Sequence, residues 1–221
     1  MKKIIPLSVS ILVVFSILVF AFEFNPIVNE EQEEYVVTLP VSKGWNLLPS
    51  TSSFWDIREL SDQMEDNLKY SFLYLPIQNQ YINSFGGFNN ENGNLYSQNR
   101  DYLRLSSEWY YFSSNGEIKF EMIKNIPQSQ KLAKGWNLFT ISPQFYKGGL
   151  GFGNCNLEKV YLWESSGQKW LELEATQSKT LAEQLLEAEE YLTGLGRAIK
   201  VTDTCTLSKE EQVTAPPAIP N

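Results

Sequence analysis

The side chains that most often do chemistry are scarce in this chain. Histidine is absent, which removes the usual general base, the commonest zinc ligand and every Ser-His or Cys-His nucleophile. Carboxylates remain, and a pair of them can hydrolyse a glycosidic bond without histidine. Glu164, Glu172 and Glu174 are the candidates, whereas Glu187, Glu189 and Glu190 read more simply as the solvated face of a helix. Gly148-Gly-Leu-Gly-Phe-Gly153 has the glycines of a phosphate loop but lacks the Lys-Ser/Thr and helix start that should follow, so it reads as a turn. The chain is therefore expected to be non-catalytic, without metal or cofactor. Cys155 and Cys205 are its two cysteines. In an exported chain an even pair reads as a disulfide, here closing a loop of roughly 50 residues for about 4 kcal/mol. Two buried free thiols are the alternative.

Aromatic side chains are the other resource. Six Trp and eleven Tyr on a rigid β scaffold can stack on sugar rings while neighbouring amides supply hydrogen bonds. The run Trp109, Tyr110, Tyr111 is the candidate ligand surface, because one face of it reaches solvent if its strand lies at an edge. Alternation sends about half of such residues to the core. The formal net charge of -8 argues against nucleic acid or an anionic membrane surface as a partner.

The elements that must position these residues are organised around a repeated block. Lys43-Gly44-Trp45-Asn46-Leu47 returns as Lys134-Gly135-Trp136-Asn137-Leu138, which predicts two related modules. Glycine permits the positive φ of a sharp reversal, and the residues after it alternate as a strand. The Asn amide is placed to tie the preceding turn by side-chain to backbone hydrogen bonds. Trp45 and Trp136 are expected to be core anchors.

Around these blocks the expected elements are as follows. Residues 35–41 form a strand leading into the first block. Residues 53–68 form a helix, from a Ser53 cap and apolar residues near helical spacing. Residues 70–75 and Tyr81-Ile82 form a hairpin. Residues 83–100, rich in Asn and Gly, form a long surface loop that reads as a mobile insertion, with contact of Phe85, Phe88 and Tyr96 with a partner as the alternative. Residues 109–120 form a hairpin through Asn-Gly. In the second module 160–171 form a hairpin in which Trp163 and Trp170 have the spacing of Tyr74 and Tyr81, 180–191 form a helix, and 197–207 form a closing hairpin.

The N-terminus is basic, then apolar from Ile4 to Phe22, then acidic. Its length approaches the ~20 residues needed to span a bilayer, and the charge order places the N-terminus in the cytoplasm and the bulk outside. It reads as a retained anchor; cleavage after Val19-Phe20-Ala21 is the alternative, which would make the protein secreted.

Gly135-Trp136-Asn137-Leu138, the aromatic hairpin Val160-Tyr-Leu-Trp…Gln168-Lys-Trp, and Gly194-x-Gly196…Ile-Lys-Val201…Cys205-Thr-Leu together resemble a repeat module of prokaryotic, notably archaeal, exported cell-surface proteins. The resemblance covers 134–207 and implies an exported, non-catalytic module with Cys155 bridged to Cys205. The first module departs from it, having no cysteines, an Asn-rich insertion and an expected helix after the block.

The resulting expectation is a mainly β protein with minor α. It has an anchor or signal at 1–24, an acidic tether at 25–34, a first module at 35–125, a second at 126–207 and a Pro-rich tail at 208–221. Each module is an antiparallel sandwich or partly open barrel with one short helix. The expected role is structural or adhesive, towards another envelope protein or a surface polymer. Carbohydrate binding by exposed aromatics is the alternative, and a carboxylate-pair glycosidase the second alternative.

Overall fold

The computed structural model describes residues 27–31, 34–51, 55–60, 66–123, 129–140, 150–153, 155–174 and 193–209. In the first half, the strands in chain order are β1 (Ile27–Glu31), β2 (Glu34–Val41), β3 (Gly44–Pro49), β4 (Trp55–Leu60), β5 (Leu68–Leu75), β6 (Gln80–Asn83), β7 (Ser107–Phe112) and β8 (Gly116–Ile123). Helix α1 (Asn90–Asn99) and a 3-10 turn (Arg100–Tyr102) lie between β6 and β7. In the second half they are β9 (Ser129–Leu132), β10 (Gly135–Thr140), β11 (Leu150–Gly151), β12 (Leu157–Glu164), β13 (Lys169–Leu173), β14 (Gly196–Val201) and β15 (Cys205–Lys209).

Among the described residues all pairing is antiparallel, in four open sheets. The outer sheets run β1-β2-β8-β4 and β9-β15-β11; the inner sheets run β3-β7-β5-β6 and β10-β14-β12-β13. The two halves thus share one plan, down to detail. A register shift between Leu68 and Tyr70 in β5 recurs between Leu157 and Lys159 in β12. Ser113 N–H donates to Asn67 O, and Thr202 N–H donates to Asn156 O, at matching places.

The repeated block makes the passage from outer to inner sheet. Gly44 and Gly135 take φ of 106° and 94°, where a side chain would be strained. Asn46 Oδ1 accepts from Ser42 N–H at 2.9 Å, and its Nδ2 donates to the carbonyls of Ser42 and Gly44. Asn137 does the same with Ala133 and Gly135. The anticipated tie between Asn and turn is present in both copies. Each Asn is buried with all three bonds made, so its polar groups incur no unmet desolvation cost.

Each outer sheet packs on its inner sheet. In the first module Val37, Leu39, Val41, Ile118 and Phe120 meet Leu48, Tyr110 and Phe112. In the second, Leu132 and Leu207 meet Phe139, Val160, Ile199 and Val201. The Cys155–Cys205 disulfide, with Cα atoms 5.2 Å apart, lies in that core. The free faces of the inner sheets then pack together through Leu47, Leu138, Tyr74 and Ala198. A Cβ on Gly196 would stand 2.4 Å from Leu47 Cγ, so glycine is what admits this approach.

The halves also exchange segments. Leu105, just before β7, is part of the second core, while Leu195, just before β14, packs on the first. A Cβ on Gly194 would meet Leu39 and Val37 at 3.0–3.1 Å.

Several expected elements differ. Trp55–Leu60 is a strand on β8 rather than part of a helix, because Trp55 and Ile57 alternate and a bulge before Glu59 restores the phase. The Asn-rich stretch 83–100 contains helix α1, started by Asn89, whose Oδ1 accepts from Asn92 N–H at 2.7 Å. Phe88 and Tyr96 pack on Leu73, Leu75, Ile82 and Leu103, while Phe85 stays exposed. The two Asn-Gly-type and Asp-Thr turns at 113–115 and 202–204 do not make hairpins: β7 and β8 belong to different sheets, as do β14 and β15. The stretch expected as an acidic tether contributes β1, an edge strand on β2, and Ser208 and Lys209, expected to open the tail, belong to β15 and pair with β11. The expected anchor at 4–22, the expected helix at 180–191 and residues 210–221 of the expected tail lie outside the described residues. Among the described residues no helix is long and apolar enough to cross a membrane.

Two outcomes follow. Asn137→Ala leaves the buried Ala133 N–H unpaired and lowers stability by about 2–3 kcal/mol, read by urea denaturation. Because each core is completed by a segment of the other half, a chain ending at residue 125 lacks a cooperative unfolding transition by circular dichroism, whereas the intact chain has one.

Candidate functional site

Between the inner sheets lies a partly open cleft of about 410 Å³, lined by Tyr74, Asn79, Tyr81, Trp136, Leu138, Tyr161, Trp170 and Ala198. Its size falls within the roughly 300–1,000 Å³ range of small-molecule sites. Strand register explains the lining. Trp136 and Leu138 alternate onto the free face of β10, Ala198 onto that of β14, Tyr161 onto that of β12 and Trp170 onto that of β13. The opposite wall is the β5–β6 hairpin, where Tyr74 pairs with Tyr81.

The walls are aromatic and mutually braced. Ring centroids are 5.8 Å apart for Trp136 and Tyr161, 6.3 Å for Tyr161 and Trp170, and 5.2 Å for Tyr74 and Tyr81. Trp170 is 39% and Tyr81 52% exposed, so both rings reach solvent at the rim. Polar groups are few. Tyr74 OH donates to Asn79 Oδ1 at 2.6 Å, and burial raises the Tyr74 pKa, with Tyr81 adding to the effect. Lys159 Nζ stands 5.9 Å over the Tyr161 ring and 3.6 Å from Glu172.

The related position around Trp45 is closed. Trp109 corresponds to Ala198, since Trp109 pairs with Leu47 and Phe72 where Ala198 pairs with Leu138 and Tyr161. The Trp109 indole packs edge-on against Trp163 at 4.8 Å and Trp170 at 5.6 Å. Gln168 corresponds to Asn79; both sit in the hairpin turn with positive φ, 51° and 54°. Gln168 bonds the main chain of Trp45, and Trp163 Nε1 donates to the same carbonyl at 2.8 Å. One side is plugged and latched; the other is open because Ala198 is small and Asn79 is a methylene shorter.

The sequence candidates distribute unevenly over this site. Trp45 and Trp136 are half-buried between the sheets rather than central in either core. Trp109 backs the cleft, its Nε1 donating to Tyr81 OH at 3.4 Å. Tyr110 is no ligand surface: it is 2% exposed inside the first core, its hydroxyl donating to Pro49 O at 3.1 Å. Tyr111 packs on Trp45 at 5.1 Å, on the closed side. Glu164 and Glu172 lie on opposite faces of the β12–β13 hairpin, opposite Lys169 and Tyr161 respectively, and each is ion-paired; Glu174 follows β13 and is exposed. Glu164 and Glu172, on opposite faces, do not converge as a catalytic pair. Among the described residues no three His, Cys, Asp or Glu lie together as metal ligands. Tyr161, Ala198 and Asn79 escaped the sequence reading; the legible signal was their alignment with Phe72, Trp109 and Gln168.

Glu108 has a strongly altered environment but no access. It is 1% exposed within the first sandwich, bonded by Ser50 Oγ at 2.8 Å, by Ser84 Oγ and by Tyr110 OH at 3.3 Å. Burial raises its pKa against the pull of these hydroxyls. Below the ordinary carboxylate pKa it is protonated folded or unfolded. As pH rises above that value the unfolded chain releases the proton first, so stability falls until the raised folded pKa is passed. Glu108→Gln removes this decline: its melting temperature varies less than wild type's across weakly acidic pH.

A scan against protein-family models and searches of curated proteins and of solved structures find no match for this chain.

Proposed function

We propose that this is a non-catalytic, extracytoplasmic binding protein, held at the membrane by residues 4–22, that retains a surface glycan in the cleft between its inner sheets. The observation that carries the reading is the aromatic cleft itself. The partly exposed rings of Trp170 and Tyr81 flank an apolar recess with a small set of polar groups at Tyr74 and Asn79, the composition of a site that orients a small ligand unit. Pyranose rings present C–H faces that pack on such aromatics and hydroxyls that meet such polar groups. The resemblance of 134–207 to modules of exported cell-surface proteins agrees with an adhesive role, and the cleft favours a polymer of sugars over a flat protein partner as what is held. The excess of acid suits an uncharged glycan rather than a polyanion.

The test is a glycan array probed with the full-length protein in a detergent without a sugar headgroup. Retention of a defined set of glycans is expected. Trp170→Ala, at a rim position, weakens that retention about tenfold, the size of one lost aromatic contact, while the variant stays folded at the assay temperature by circular dichroism. Absence of retention on every glycan rejects the reading.

A further inference from the structure

We propose that the cleft recognises a hexose unit through two adjacent free ring hydroxyls, which bond the main chain of Trp136 as the Gln168 carboxamide bonds the main chain of Trp45. The proposal rests on the glycan reading above and adds which face of the sugar is read.

The closed side displays the chemistry that this strand edge takes. Trp45 N–H donates to Gln168 Oε1 at 2.8 Å, and Gln168 Nε2 donates to Trp45 O at 2.9 Å. One residue's donor and acceptor are thus met by an acceptor and a donor held side by side. Trp136 has the same place in its sheet, opposite Lys200 as Trp45 is opposite Tyr111. By the alternation of antiparallel pairing its N–H and C=O point away from β14, to the open edge. No described group bonds them. Asn79, the counterpart of Gln168, is turned to Tyr74 instead. A Cβ on Gly44 would lie 2.7 Å from Gln168 Oε1, while one on Gly135 would meet nothing within 4 Å. The vacancy therefore has two parts, the volume left by Ala198 where Trp109 stands and the room for a donor–acceptor pair at Trp136.

A pyranose matches both parts. Its ring replaces the indole against Trp136, Tyr161 and Trp170. Two neighbouring hydroxyls, one accepting from N–H and one donating to C=O, replace the carboxamide. A secondary amide does not match, because a trans amide holds its C=O and N–H on opposite sides. That disfavours an acetamido group or a peptide bond at this point. An added peptide strand is further disfavoured because the edge of β10 is already occupied from Phe139, which bridges to Ser106. A glutamine-bearing hairpin like β12–β13 would also need the place that the β5–β6 hairpin fills.

The experiment is calorimetric titration of the full-length protein with four hexasaccharides and one peptide. Cellohexaose and β-1,4-mannohexaose keep adjacent free hydroxyls at C2 and C3 of every inner unit. Laminarihexaose, linked through C3, and chitohexaose, with acetamido at C2, do not. Binding of at least one of the first two, at least about tenfold tighter than of the last two, is expected, since an unpaired donor and acceptor are left otherwise. Ala198→Trp, which copies Trp109, abolishes it, and Asn79→Gln, which copies Gln168, weakens it about tenfold or more by self-latching. Equal binding of laminarihexaose or chitohexaose overturns the hydroxyl-pair proposal and leaves the glycan reading intact. No binding of any of the four overturns the proposal, and the array separately decides the glycan reading. Tighter binding of a peptide copying 159–173 makes the occupant a protein hairpin and overturns it, as does wild-type affinity in both variants.

Discussion

Asn46 and Asn137 each hold a chain reversal shut with three hydrogen bonds to the two residues flanking a lysine. That reversal moves the chain from an outer sheet to an inner one, and it sets the parity of everything after it. With Asn pointing inward to the turn, Leu48 and Phe139 also point inward, and Trp45, Leu47, Trp136 and Leu138 must point out. A slip of one residue would send the tryptophans towards cores already filled by Tyr110 and Ile199 and would turn Leu48, Phe139 and the carboxamides away from them. The clamp is thus the reason why both inner sheets carry apolar residues on both faces. It is also the reason why the modules meet through those second faces.

Duplication makes the interface self-complementary. Each half donates the segment before its last inner strand to the other's core, Leu105 one way and Leu195 the other. Such reciprocity is the logic of a twofold contact between like subunits, here within one chain. A twofold contact generates two equivalent recesses. Divergence at two positions was enough to separate their fates, with Trp109 and Gln168 on one side and Ala198 and Asn79 on the other. The same asymmetry of size appears at the point of closest approach, where Gly196 faces Leu47 and the matching residue, Ser107, instead bonds Thr140 Oγ1 through its hydroxyl at 2.7 Å.

The repeat, the strand-rich class, the cysteine pair and the β12–β13 hairpin were legible because each rests on local pattern: an identity, an alternation, an even pair, matched aromatics. What was illegible depended on partners distant in the chain. Trp55 and Ile57 fit a helix or a strand equally well over so short a span, and β8 decides between them. Asn and Gly conceal helix α1 because its stability comes from a cap at Asn89 and from buried Asn99, which receives the Ile77 N–H at 3.1 Å, rather than from propensity. Turns at 113–115 and 202–204 have hairpin composition, yet sheet-to-sheet packing separates the strands they join. For the site, Trp109 and Trp136 stood out as aromatics, but a vacancy is a difference between two environments. Only the pairing of Ala198 with Trp109 exposes it.

The closed recess serves the open one. Trp163 and Gln168 fix the β12–β13 hairpin to the edge of β3 through Trp45, and Trp170 pairs with Trp163 in that same hairpin. The rings that line the cleft are therefore held by bonds made on its far side. Trp109 extends the brace, touching Trp163 and Trp170 of the facing sheet while its indole N–H reaches Tyr81 of its own sheet, over β5. A cleft whose walls are ordered before a ligand arrives loses less freedom on binding, and support from outside the contact surface is what keeps such walls in place. The plugged copy is in this sense the scaffold of the vacant one, which is a physical reason for a chain to carry both.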